Sequence, residues 1–149
     1  EFRDAGAPLQ VELEPQPVVL EGLKVMADRF QQRRLAAGVS VRVLDVEDFR
    51  SLPTDAFAAL RMRGGMALHS CTPRHSTTTW CVLSRGSIRP PSVVIDDRPS
   101  MGLEELQLYR TDEIYAIEIY RMGQHIRVYT RDYVNHAAFS PRALLPIGF

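Results

Sequence analysis

The stretch AIEIYRMGQHIRVYTR, residues 116–131, constrains this chain more than any other. Ile117 and Ile119 alternate with Glu118 and Tyr120; Ile126, Val128 and Thr130 alternate with Arg127, Tyr129 and Arg131. A period of two marks extended chain, because successive side chains point to opposite faces of a strand. Met122-Gly123-Gln124 is the tight connection between the runs, so the pair reads as a β-hairpin. The alternation predicts one buried and one solvated face, with Glu118 pairing across the strands to Arg127 for a small gain.

Further strands are predicted near 40–44, 78–84 and 92–96. Val39, Val41 and Val43 alternate with polar residues, TTWCVLS is β-branched and aromatic, and SVVI is a nearly continuous apolar run. Met66–His69 is a further strand candidate. Helices are predicted between them. Ala27–Ala37 holds strong helix formers and stops at Gly38. Asp45 caps a short helix with Glu47 and Asp48 in its first turn, where the helix dipole favours negative charge. Thr54 is expected to cap another, Asp55 to Arg63, which buries Phe57 and Leu60 and ends at Gly64-Gly65. Trp80 is expected in the core. The whole reads as α+β: one small mixed sheet with a few short helices.

Asp96-Asp97 and Asp112-Glu113 raise the question of a carboxylate site. Each pair lies at the boundary of an element, where Asp bonds nearby backbone amides and tolerates unusual backbone angles. Turns and caps therefore account for them. There is no glycine-rich phosphate loop after a strand, no G-x-S-x-G and no H-E-x-x-H. Nucleophile, base and oxyanion donors form no coherent local set, so no enzyme activity and no cofactor are expected. A small-ligand module, or an enzyme with a non-local site, stands as the alternative from another class.

Lys and Arg number 18 against 18 Asp and Glu, so the net charge is zero and gives no general footprint for nucleic acid. No apolar run approaches the roughly 20 residues of a membrane-spanning helix. Two readings compete for the cysteines. Cys71 and Cys81 flank TPRHSTTTW and are placed to close a loop by a disulfide, which requires an oxidising compartment. Alternatively His69, Cys71, His75 and Cys81 are four zinc ligand types in a short span, although their spacing fits no standard zinc pattern. A disulfide, or two structural thiols, is expected in place of metal.

Two segments carry a resemblance: VRVLDVEDFRSLPTDAFAALRMRGG, then VVIDDRPSMGLEELQLYRTDEIYAIEIYRMG. Together they resemble the plug domain of TonB-dependent outer-membrane receptors, over about residues 39–131. Ile95-Asp96-Asp97 stands at the family's Asp-Gly turn. Asp112, Glu113, Ile114, Ile117, Glu118, Ile119 and Arg121 stand at its acidic strand start and following arginine. VELEPQPVVLEGLKV also resembles the segment that joins a carboxypeptidase-regulatory-like domain to such a plug. Asp97 replaces the usual glycine, Met122-Gly123 replaces Gly-Pro, and the glycine-rich stretch that normally follows is missing. A receptor barrel needs many strands of roughly 9–11 residues, and the 18 residues after Arg131 do not hold them.

The resemblance implies a plug-like body at 39–133, preceded by an extended arm and short helix at 1–38 and followed by an apolar, Pro-containing tail at 134–149. It implies a periplasmic, membrane-extrinsic, non-catalytic subunit without a membrane span of its own, whose partners are protein subunits of a transport or electron-transfer assembly. The alternative is the plug or signalling portion of a receptor. Tyr133, Phe139, Leu144, Leu145, Ile147 and Phe149 are the candidate partner-binding residues. Pro141 and Pro146 interrupt any helix there, so the tail either folds back on its own domain or reaches outward as an arm.

Overall fold

The computed structural model describes residues 18–51, 54–72 and 79–138 with Leu144 and Ile147, and side chains from Val25 onward. Helix α1 (Val18–Ala36) opens it, longer at its start than the run of helix formers suggests. Gly38, at φ +64°, turns the chain into β1 (Val41–Leu44). Asp45 then caps α2 (Val46–Phe49): its carboxylate accepts from Glu47 N, and Asp48 returns the bond to Asp45 N. Helix α3 (Ala56–Arg63) is capped by Asp55 rather than by Thr54; the Asp55 carboxylate accepts from Ala58 N at 2.8 Å. An aspartate one residue further on is the better anionic cap, and it takes the position.

Strands β2 (Leu68–Cys71), β3 (Thr79–Ser84) and β4 (Ser87–Arg89) form an antiparallel three-stranded sheet in that order. The first starts two residues later than Met66–His69 predicts. Met66 instead packs beneath the hairpin turn, against Gly123. The larger sheet comprises β5 (Ser92–Ile95), β6 (Arg98–Pro99), β7 (Ile114–Tyr120) and β8 (His125–Thr130), together with β1, in the order β1-β7-β8-β5-β6. Only β5 and β8 run parallel. Two 3-10 turns, Leu103–Leu108 and Thr111–Glu113, carry the chain from β6 to β7, and α4 (Arg131–Ala138) follows β8 directly. The architecture is thus the expected α+β one, with a small second sheet.

One face of the larger sheet holds the main apolar core. Ile117, Ile119, Ile126 and Val128 pack with Phe49, Phe57, Leu60, Leu103 and Leu106, and Trp80 lies half-buried against them. The Trp80 ring tilts onto Phe57 at 5.3 Å, with the Arg61 guanidinium 5.2 Å above it.

The other face departs from the expectation of a solvated hairpin. Helices α1 and α4 cover it, and Met26, Phe30, Ala116, Tyr129 and Val134 form a second core there. Glu118 is 0% exposed and Tyr120 is equally buried. Strand alternation is blind to this, because a helix seated on a polar face leaves the pattern unchanged. Phe30 sits at the centre of this layer, 4.6 Å from the Tyr129 ring. Phe30→Ala should therefore cost about 3 kcal/mol in urea unfolding. A loss below 1 kcal/mol would show that α1 adds little to the body.

Candidate functional site

Between α1 and the larger sheet lies a seam of charge and phenol. From the sheet come Glu118, Tyr120, Arg127 and Tyr129, brought to one face by the strand period. Arg33 and Arg34 come from the last turns of α1, Asp97 from the β5–β6 turn and Tyr133 from α4. Asp96 and Asp97 hold left-handed φ angles of +51° and +60° in a two-residue turn that pairs Ile95 with Arg98. A turn with positive φ at both central positions matches the twist of paired strands, and Asp is among the non-glycine residues that accept it.

Glu118 is the hub. Arg34 Nε lies 2.6 Å from its Oε1, and Arg33 Nη2 lies 3.6 Å from Oε2. The hydroxyls of Tyr120 and Tyr129 donate to Oε2 at 2.9 and 3.0 Å. Asp97 is the second anchor: Arg127 Nη2 stands at 2.5 Å, Arg33 Nη1 at 3.4 Å, and Tyr133 donates its hydroxyl at 2.6 Å. Arg33 also donates to the Tyr129 hydroxyl and lies over the Phe30 and Tyr129 rings at 5.2 and 5.0 Å. Glu118 and Arg127 do stand opposite in the register, yet they form no direct pair. Tyr129 links them instead, its hydroxyl accepting from Arg127 Nε at 3.1 Å while donating to Glu118. The helix brought two arginines nearer to Glu118 than the strand partner.

Nor do the turn aspartates serve nearby amides, as turn chemistry predicts. Asp96 accepts from Thr130 N and Thr130 Oγ1, both at 2.8 Å, and so fastens the turn to the end of β8. Burial pushes the Asp96 carboxyl up, only partly offset by those bonds. Burial also raises Asp97, but the bonds from Tyr133 and Arg127 and the charges of Arg33 and Arg127 outweigh it and hold it below its ordinary value. The phenols of Tyr120, Tyr129 and Tyr133 are all pushed up, first by burial and then by the carboxylates they touch. The seam consumes its titratable groups in mutual pairing. Chemically it joins helix layer to sheet.

Beyond the turn, a groove of about 1,020 Å³ opens at the ends of β5 and β8, lined by Asp96, Glu105, Leu108, Asp112, Arg131 and His136, among others. Several of these polar groups already have partners. Glu105 accepts from Ser100 Oγ and Met101 N, and Asp112 pairs with Arg110.

Cys71 and Cys81 form a disulfide between β2 and β3, with Cα atoms 5.9 Å apart. It takes both sulfurs from the zinc reading; His69 stands opposite Cys81 in the register, and His75 lies outside the described residues. Among the candidate partner-binding residues, Tyr133 is half-buried and bonded to Asp97, while Leu144 packs against the second core. Ile147 is half-buried. Phe139, Leu145 and Phe149 lie outside the described residues, as does the predicted arm before Val18. The residues that sequence reasoning missed are Arg33 and Arg34. Their spacing from Phe30 puts them on the buried side of α1, but arginine in a helix ordinarily signals solvent. No protein-family model and no curated protein matches this chain.

Two outcomes follow. Asp97→Asn should cost about 3 kcal/mol near neutral pH, since it strands buried arginines. Asp97 has a depressed folded pKa, so its contribution is complete above the unfolded carboxyl value of about 3.9 and is lost as pH falls through the folded value. The variant should therefore lose less stability than the wild type on acidification below about pH 4, read by urea titrations at several pH values. Separately, thiol titration of denatured, unreduced protein should find no free thiol. Replacing both cysteines by serine should lower stability by about 3 kcal/mol.

Proposed function

We propose that the chain is a non-catalytic, membrane-extrinsic interaction subunit of the periplasm, built on a body like a TonB-receptor plug and docked on a membrane protein assembly of the transport or electron-transfer kind. The observation that carries this reading is where the terminal segments join the body. Helices α1 and α4 lie against each other on one face of the sheet, with Arg29 Nη1 3.5 Å from the Ala137 carbonyl. The Pro-rich segment before Val18 and the apolar tail after Ala138 therefore attach to the same helical layer. Two terminal segments joined to one layer suit one partner surface, and two linked attachments bind more tightly than either alone.

Three further features support the reading. The Cys71–Cys81 disulfide suits an oxidising compartment. Strand β1, helices α2 and α3, β5 with its tight Asp96-Asp97 turn, and β7 with Glu118 at its centre follow in the order of the plug resemblance. The acids and phenols of the seam are spent on holding the fold, which favours a structural role over a catalytic one. Among the described residues no helix is long and apolar enough to cross a membrane.

Removal of residues 139–149 tests the reading. The truncated protein should keep its fold, losing about 1 kcal/mol with the Leu144 contact, and should no longer co-migrate with the detergent-solubilised membrane assembly that retains the full chain. A truncated protein that stays with the assembly, or one that unfolds, refutes docking through the tail.

A further inference from the structure

We infer that the end of the molecule formed by the β3–β4 and β7–β8 turns is a docking surface for a bilayer rich in acidic phospholipid. The zero net charge conceals a separation of charge along the strand axis. The segments that meet at this end are 38–44, 82–95 and 119–126; they hold Arg42, Arg85, Arg89 and Arg121 and no Asp or Glu. The opposite ends of the same strands are mixed but acidic on balance: the groove there is lined by Asp96, Glu105, Asp112, Glu113 and Asp132 against Arg98 and Arg131. Like charge collected at one end creates a directed field even on a neutral protein.

The basic end is rigidly built. Gln124 Nε2 donates to Ser84 Oγ at 2.9 Å and Gln124 O accepts from Ser92 N at 2.8 Å, so the two turns and the start of β5 are tied together. Two adjoining hollows of about 530 and 410 Å³ share Arg85, Ser84 and Gln124, and no carboxylate lines either. Arg85, Arg121 and Met122 all hold left-handed backbone, at φ +49°, +49° and +59°. At Arg85-Gly86 this is the turn geometry that Asp96-Asp97 also adopts, and it holds the Arg85 side chain at the tip of the β3–β4 hairpin. His125 is pushed down by burial and then by the charges of Arg121 and Arg127, an independent sign of the local positive potential.

What favours lipid over an acidic protein is the apolar residues set among the arginines. Ile88 is 53% exposed opposite Leu83 on the β3–β4 hairpin, and Met122 is 70% exposed beside Arg121. Guanidinium groups pair with phosphate oxygens in bidentate fashion. Neighbouring apolar side chains enter the boundary between headgroups and acyl chains. None of the residues named for this surface belongs to the terminal segments 1–17 and 139–149.

Co-sedimentation of the full chain with protein-free vesicles tests the inference. Binding is expected to vesicles of phosphatidylcholine mixed with phosphatidylglycerol and not to phosphatidylcholine alone, and it should weaken as salt is raised. Arg85→Gln with Arg89→Gln should reduce it about thirtyfold, at about 1 kcal/mol per surface arginine. Ile88→Ser should weaken it at constant charge, so the test stands even if the arginine pair variant melts early. Absence of binding to the acidic vesicles, or equal binding by the arginine variant, overturns the inference. If acidic vesicles do not bind but the arginine variant falls off its membrane assembly, the basic end reads an acidic protein surface and the lipid inference is overturned. Because the vesicles carry no protein, none of these results depends on whether the terminal tail docks on a partner.

Discussion

The buried carboxylate of Glu118 governs how this protein is layered. An ionised carboxylate taken out of water costs several kcal/mol unless opposite charge and hydrogen bonds surround it. Here α1 supplies two arginines and the sheet supplies two tyrosine hydroxyls. Without the helix, that face of the hairpin belongs in water; with it, the face becomes interior. The second core, Met26 and Phe30 against Tyr129 and Val134, forms around the same contact. Apolar packing supplies most of the burial, while the charge pairing fixes where along the sheet the helix must sit. Leu or Met in place of the arginines would leave Glu118 stranded, so helix and strand are coupled at a single position.

Asp97 repeats this logic at the sheet edge. It binds the β5–β6 turn to β8 through Arg127, to α1 through Arg33 and to α4 through Tyr133. One side chain in a tight turn thus touches three elements distant in sequence. A glycine at that position would make the turn easily but would hold nothing. The left-handed backbone at Asp97 is accepted in return for the anchor.

The strands were largely legible in the sequence. β1, β3, β5, β7 and β8 lie within two residues of the expected positions, because each carries a period-two or apolar run that no helix shares. β4 and β6 were not legible: three and two residues are too few to show a period. The cap of α3 falls one residue later than expected because Thr54 and Asp55 are both cap formers and aspartate is the stronger of the two. The cysteine pairing was legible from the spacing, and the seam was not. Its members lie on α1, the β5–β6 turn, the β7–β8 hairpin and α4, and beyond the hairpin register nothing local marks them as neighbours. Glu118 and Arg127 illustrate the limit, since the hairpin register was read correctly and the partner was still wrong.

The order of strands in the larger sheet also bears on how the chain acquires its shape during synthesis. β7 and β8 are the last strands to be made; β1 pairs only with β7, and β5 has only the two-residue β6 as a partner until β8 arrives. Until β7 and β8 have been made, β1 has no edge to join, and α1 has no sheet face to cover. The β2-β3-β4 meander and the short β5–β6 hairpin need no late strand, because their pairings are local, and the meander holds its cross-link within it. Local pairings form quickly and distant ones slowly. The small sheet can therefore form while the chain is still emerging, whereas the larger one closes late and nearly all at once.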